Sequence, residues 1–439
     1  MAALLALALA VAGIGALYAP EPIPALVAPG KIQGEPTIRV LVVSAASHAA
    51  CYLAGDADLE VVLSDGARQA LVASSGEFQI LPTASGVRFD GRSAEVRRLR
   101  ITPRGGRPIR LRWIENDFDS VFELFSPFEC YRVNPPAAAA GAPPRAVAPG
   151  GLRIVTRLGL EAYLAGVLPN EVRPNWPADA LKAQAVAART FALYHIQTRR
   201  ADDYDVSLIA QEWKPASAHT LTTRQAVEWT TGMALLERGG LFPAYFAAEC
   251  GGQTTPVRHY IALTEPVAAL AGVRCPRCSG SIKDEMPYAW KWSIGPDELA
   301  RQLSPRLRPP IPPGQSIVAV EAYDDRITTG PTRARPLTDR QGRASVVVVR
   351  LRNRNEYSIP AAEFRLAVGS DRDRLASTWF RARKDADGRF VFEGKGRGHG
   401  VGLCQMGMRY LAAVEGRRFE DILKWYYPGA TLATLYNRN

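Results

Sequence analysis

The sequence predicts a mixed α+β fold, rich in strands, with a short helical pair near its middle. Three observations lead there. Between Thr37 and Glu115 the chain reads as short β-branched and aromatic runs (TIRVLVVSA, LEVVLS, EFQIL, AEVRRLRITP, IRLRWIE), each bounded by Gly, Asp or Ser. Between Leu160 and Ile196 the apolar period changes to that of helices. Beyond Gln315 strand patterns return in SIVAVEAY, ASVVVVRLR, STWFRARK and RFVFEGKG.

Length and charge set the outer bounds. The 439 residues can bury a large core, and 47% hydrophobic with 22% charged residues is an ordinary globular composition. The net charge of +11 suits an anionic partner such as a wall polymer or phospholipid, or reflects arginine usage alone. No nucleic-acid motif accompanies it, so a nucleic-acid partner is not expected.

Residues 1–19 are apolar up to Tyr18 and read as a signal peptide or membrane anchor, with Pro20, Pro22 and Pro24 directly behind. Export to the cell envelope follows, with the leader either cleaved or kept. Residues 20–36 form a proline-rich linker and 37–133 an N-terminal β-rich part. Residues 134–150, NPPAAAAGAPPRAVAPG, form an exposed loop. The remaining region, 151–435, opens with the strand LRIVTRL.

The helical pair comes next. Leu160, Tyr163, Leu164, Val167 and Leu168 fill one helix face, and Pro169 is expected to stop that helix because its amide cannot donate. Pro177 opens a second helix, and the stretch from Ala178 to Ile196 is rich in alanine. Glu171 then sits on a tight connection between Pro169 and Pro174. A carboxylate held between two rigid elements suits acid–base work. The plainer reading is a solvated charge favouring the next helix dipole.

Further on, DVSLIAQEW reads as a strand ending in Gln211, and MALLERGGLFPAYFAAECGG as a hairpin turning at Gly239-Gly240. A CPRC knuckle follows at Cys275–Cys278. Glycines alternate through Gly394-Lys395-Gly396-Arg397-Gly398-His399-Gly400-Val401-Gly402-Leu403-Cys404-Gln405. This run lacks the lysine–serine ending of a phosphate loop, which excludes nucleotide binding. The chain closes on the helix FEDILKWYYPG.

The segment GVLPNEVRPNWPADALKAQAVAARTFA resembles the hallmark of the SpoIID/LytB family of peptidoglycan-acting proteins. The match falls on Tyr163, Leu164, Gly166, Val167, Glu171, Trp176, Pro177, Ala180–Ala185, Ala187, Arg189 and Thr190. The glycine run, the Cys250-Gly251-Gly252 turn and the Ile422–Gly429 ending are similar to further motifs of that family. The resemblance spans roughly Thr37 to Leu435 and implies one compact β-rich unit. It also implies a lytic transglycosylase that cleaves the MurNAc–GlcNAc bond of peptide-stripped glycan strands and leaves 1,6-anhydro ends. Glu171 would be its general acid and base. The other side of the family implies a non-catalytic, glycan-binding amidase enhancer, and a wall amidase is the expected protein partner in either case.

The resemblance carries a role onto Arg189, orienting Glu171 or binding glycan. Gly251, Gly252, Gly398, His399, Gly400 and Gln405 are expected at the substrate, as groove wall or as close packing beneath it. Trp176, Tyr426 and Tyr427 offer faces for sugar rings, although core packing is the commoner use of such residues. Of the six cysteines, Cys51 and Cys130 are candidates to pair. Cys250, Cys275, Cys278 and Cys404 are candidate ligands of a structural zinc ion, with His259 as the other fourth ligand and disulfides or buried thiols as alternatives. No other cofactor is expected.

Overall fold

The computed structural model describes residues 15–17, 23–30, 32–46, 51–63, 68–73, 77–83, 86–89, 96–115, 118–133, 151–208, 211, 213–214, 220–261, 263–275, 289–323, 337, 342–369 and 374–437. The fold is α+β, as the patterning predicts, and the chain forms two compact units. One comprises Val27–Ala234 with Ala433–Asn439, and the other Met1–Leu26 with Leu235–Leu432.

The first unit is built on a large, mostly antiparallel sheet. Its organising strand is Gly151–Gly159, which pairs antiparallel with Phe128–Val133 on one side and with Thr37–Ala46 on the other. The N-terminal β-rich part and the strand that leads into the helical pair therefore share one sheet. Ile38, Val40, Leu152 and Ile154 turn their apolar side chains into the core, each wholly buried. The short strand Val206–Ser207 adds parallel to Thr37–Ala46. Arg39 fixes this edge, donating from Nε and Nη2 to Asp205 Oδ1 at 3.1 and 2.6 Å. The predicted strand to Gln211 thus stops at Ser207, where the chain turns.

Gly159 ends its strand and caps helix α1, Leu160–Glu171, directly. Helix α2 is Ala178–Thr198 and α3 is Leu221–Trp229. Pro169 does not stop α1 but lies inside its last turn. The lost donor would have served Ala165 O, close to where the helix ends; the next carbonyl, Gly166 O, has side-chain and loop partners. It accepts from Asn170 Nδ2 at 2.7 Å and from the Lys214 amide at 3.1 Å. Helix α2 is buried on nearly every side from Ala180 to Tyr194. Its alanines let neighbours approach closely, which explains why it shows little amphipathic periodicity.

The second unit contains a five-stranded sheet and a four-stranded sheet. The first runs in the order Leu307–Arg308, Gly15–Leu17, Glu356–Pro360, Val346–Leu351, Ile317–Tyr323. Three residues of the expected leader are therefore a strand in this sheet. The second runs Ala289–Ile294, Phe390–Lys395, Trp379–Lys384, Gly342–Arg343. Helices α4 (Pro296–Leu303) and α5 (Ala361–Val368) contribute Leu299 and Phe364 to a core with Phe380 and Phe392, all wholly buried. Helices α6 (Gln405–Ala413) and α7 (Phe419–Tyr426) end the unit. Among the described residues no helix is long and apolar enough to cross a membrane. The expected hairpin turns at Arg238-Gly239, one residue early, with φ of 50° and 78°. Glu237 and Gly240 exchange backbone hydrogen bonds of 2.9 Å across that turn. Its second strand is the short Phe246–Ala247, which pairs parallel with Leu403–Cys404.

Candidate functional site

Glu171 is the last residue of α1 and is half-buried, so its carboxylate sits on a rigid element and still meets solvent. The side chains around it are fixed. Tyr163, two turns earlier on α1, is wholly buried and donates from its hydroxyl to Gln211 Oε1 at 3.0 Å. Gln211 Nε2 in turn donates to Ala188 O of α2 at 3.2 Å. Burial, and then the negative charge of Glu171, holds the Tyr163 hydroxyl well above the ordinary tyrosine range, so it stays protonated. Glu171 is therefore within electrostatic reach of a buried donor locked to α2.

Gly166 explains part of this geometry. A Cβ there would lie 2.2 Å from Lys214 O and 2.5 Å from the Trp213 indole nitrogen. Only glycine lets residues 213–214 cross α1 so closely. Trp176, a candidate sugar platform, is buried after α1 and packs into the core instead. A cavity of about 200 Å³ in this unit is lined by Glu161, Ala162, Ala165, Arg224, Val227, Glu228 and Thr231. Glu171 does not line it.

Arg189 departs from the expected role. Its side chain is wholly buried, so it has no surface to offer a glycan. Its guanidinium is committed to Glu161, with Nε to Oε1 at 2.9 Å and Nη2 to Oε2 at 2.7 Å. Three further bonds reach Thr230 Oγ1, Met233 O and Val227 O at 3.2–3.3 Å. Arg189 thus holds α1, α2 and the end of α3 together. Tyr436, beyond the closing motif, donates to the same Glu161 at 2.5 Å. Nothing in sequence pointed to this cluster except the improbability of an acid and an arginine in otherwise apolar helical faces.

In the second unit the turn at Cys250 and the glycine run meet. Glu249 and Arg397 exchange backbone hydrogen bonds of 3.0 and 2.8 Å, and the Thr255 amide donates to Gly400 O at 2.6 Å. Gly396, Gly398, Gly400 and Gly402 all have positive φ, which makes every second residue left-handed. At Gly402 a Cβ would stand 1.9 Å from Tyr245 O, and at Gly251 3.2 Å from the Lys395 backbone. The alternation serves close packing of these segments. Gly252 is left-handed too and half-buried. Arg343 ties the turn by donating to Cys250 O, and to Gln253 O at 2.8 Å.

His399 is enclosed by aromatic rings, stacked on Tyr260 at 4.6 Å and edge-on to Tyr245 at 5.7 Å. Its Nδ1 accepts from the Val401 amide at 3.1 Å, and it has a further backbone bond to Phe246. Burial, then the charge of Arg365, pushes it down to about 3, which keeps the ring neutral, and the residue retains part of its surface. Gln405, Tyr426 and Tyr427, by contrast, are buried, which removes them from direct contact with a substrate.

The sulfurs of Cys250, Cys275 and Cys404 lie within 4.8 Å of one another, all three buried. His259 is not part of this cluster. Cys278 and the side chain of Cys51 lie outside the described residues, and the Cys51–Cys130 pairing with them. Glu249, missed in the sequence although it directly precedes Cys250, is buried. Burial, then the Cys275 sulfur, pushes its carboxyl up to about 7.

Comparison with known proteins fits this architecture. A model of the SpoIID family, described as "Stage II sporulation protein", matches residues 148–236. An uncharacterized protein of Brachyspira hyodysenteriae is 32% identical over 288 residues, covering 65% of this chain and 69% of that protein. The chain belongs to the SpoIID family. It is also similar to the amidase enhancer of Bacillus subtilis, at 28% identity over 62% of this chain and 40% of that protein. The stage II sporulation protein D of Bacillus amyloliquefaciens is 27% identical over 64% of this chain and 75% of its own length. The SpoIID-family match covers α1, α2 and α3, and so includes Glu171, Arg189 and the Tyr163–Gln211 link.

Proposed function

We propose that this SpoIID-family protein is an exported lytic transglycosylase of the cell wall, cleaving the MurNAc–GlcNAc bond with Glu171 as general acid and then base. The observation that carries this reading is a half-buried glutamate at the end of a helix, within electrostatic reach of a buried tyrosine hydroxyl locked to the next helix. Cleavage needs a proton delivered to the glycosidic oxygen, the role this reading gives to Glu171. When the muramyl 6-hydroxyl is the nucleophile, the same carboxylate takes its proton back as the ring closes. One carboxyl group therefore serves both steps, and no second acid is required. The substrate is the glycan strand stripped of stem peptides, so a wall amidase acts before it.

The second reading is a glycan-binding amidase enhancer without catalysis, supported by the similarity to the amidase enhancer. Digestion of peptide-free glycan strands by wild type and by Glu171→Gln separates the two. Anhydro-ended products from wild type alone, read by mass spectrometry, support the enzyme. Binding by both proteins with cleavage by neither, together with stimulation of an amidase, supports the enhancer.

A further inference from the structure

The four-stranded sheet of the second unit turns one face to the core and the other outward. Successive strand residues alternate between the two faces. Phe380, Ala382, Phe390 and Phe392 belong to the core, with Trp290 and Trp292 packed against it. The residues between them, Lys291, Arg381, Arg383, Glu393 and Lys395, therefore lie on the outer face. We propose that this face binds the peptide-stripped glycan strand as a polyanion, through the lactyl carboxylates of its muramyl sugars. The inference rests on the reading of stripped strands as the substrate, and names a surface that recognises them.

The charges on this face do not balance. Register places Glu393 directly between Lys291 and Arg381. Arg381 donates to Glu393 Oε2 from Nε at 3.0 Å and from Nη2 at 2.6 Å. Arg383 Nη2 donates to Oε1 at 3.2 Å, and Lys291 Nζ lies 3.6 Å from the same oxygen. The Arg381 hydrogen bond, against an opposing burial effect, and then the Arg383 bond hold the Glu393 carboxyl below the ordinary range. Glu393 is thus ionised and offsets one of three neighbouring positive charges. Among the described residues of these three strands it is the only acid on the face, and Lys395 adds a further cation.

Geometry leaves the cations available to an incoming anion. One carboxylate offers about four acceptor positions, whereas two guanidiniums and an ammonium carry about thirteen N–H donors. The side chains of Lys291, Arg383 and Arg381 are 63%, 40% and 36% exposed, against 18% for Glu393. The acid therefore lies low between its partners, and the cations stand above it. Guanidinium forks match carboxylates in shape as well as charge. Removing a stem peptide hydrolyses the amide to the lactyl group and leaves a carboxylate on every second sugar. A stripped strand is then a regular polyanion. Trp379 is on the same face and half-buried, which gives a sugar ring an apolar edge to rest on. That feature favours a glycan over a phosphodiester chain.

The test measures binding by the full chain carrying Glu171→Gln, so that no strand is cut. Fluorescently labelled, peptide-free strands are compared with the same strands after their carboxylates are converted to neutral amides. The ionised strands should bind more tightly, and the difference should shrink as sodium chloride is added. Arg381→Gln with Arg383→Gln should weaken binding of the ionised strands by roughly tenfold. Glu393→Gln, which removes the acid, should tighten it by about threefold. Arg417→Gln with Arg418→Gln removes the same charge from exposed positions elsewhere in the unit and should have little effect. Equal affinity for ionised and neutral strands overturns the proposal, and wild-type surface residues suffice for that comparison if the variants do not fold. Equal losses from the two double variants overturn it too, since net charge alone would then act. A poly(glycerol phosphate) chain that binds more tightly than the strand, and is lost in Arg381→Gln with Arg383→Gln, reassigns the face to another polymer. Strands that bind in neither form contradict the substrate reading itself.

Discussion

Arg189 and Glu161 form a doubly hydrogen-bonded ion pair that is wholly enclosed, with nitrogen–oxygen distances of 2.9 and 2.7 Å. Taking both charges out of water is expensive, and the pair is tolerable because every guanidinium hydrogen has an acceptor. Removing one partner strands the other. Arg189→Met should therefore lower unfolding free energy by about 3–5 kcal/mol, and Glu161→Gln by a similar amount. The double variant should lose less than the sum of the two. Denaturant titration of all four proteins checks this. Additive losses would mean that the two residues do not act as a pair.

The left-handed glycines give a second prediction. Gly402→Ala forces a methyl group to 1.9 Å from Tyr245 O at a φ of 71°. Both the clash and the strain act together, so the loss should exceed the roughly 1 kcal/mol of an unfavourable backbone alone. Gly416→Ala has φ 62° but nothing within 4 Å, so it carries the strain without the clash. Thermal midpoints that fall equally in the two variants would refute the close-packing explanation of the glycine run.

These two cases show what was legible in the sequence. The mixed fold, the strand-rich N-terminal part and the helical pair were visible because period and turn chemistry are local. Glu171 was visible as an acid beside two prolines, and the glycine run as a pattern too regular for a loop. The partner of Arg189 was not, because Glu161 lies 28 residues away and the pairing depends on how α1 and α2 pack. Pro169 misled because a proline in a helix's last turn costs little, since it removes one donor where the helix is already ending. The aromatic residues Trp176, Tyr426 and Tyr427 read equally well as platforms or core, and only burial separates those uses.

Acid should weaken the fold through two half-buried histidines. Burial pushes His399 and His195 down to about 3, and both ring nitrogens of His195 lack hydrogen-bond partners. In the unfolded chain each titrates near 6.5. Above about 6.5 both states are neutral and neither histidine affects stability. As pH falls below that value the unfolded chain gains protons that the folded chain refuses. Stability is then lost progressively, down toward pH 3, by at most about 1.4 kcal/mol per pH unit for each histidine. Chemical denaturation of wild type and His399→Gln between pH 7 and pH 4 measures the difference. Parallel pH profiles would show that His399 takes up its proton in the folded protein.

Tyr163 links stability to the proposed chemistry. Tyr163→Phe removes the hydroxyl that donates to Gln211 Oε1 at 3.0 Å and leaves that buried oxygen without its donor. The expected loss is about 1–3 kcal/mol, the cost of an unsatisfied buried polar group. Loosening Gln211 also loosens its bond to Ala188 O, and with it the tie between α1 and α2. Cleavage of peptide-free glycan strands should slow, because the acid on α1 is then less well positioned, while strand binding is retained. Gln211→Glu gives a complementary variant, since its carboxylate still accepts from the Tyr163 hydroxyl but no longer donates to Ala188 O. If Tyr163→Phe is destabilised yet cuts at the wild-type rate when assayed well below its melting temperature, the tyrosine supports the fold alone. In that case Glu171 owes its placement to other contacts.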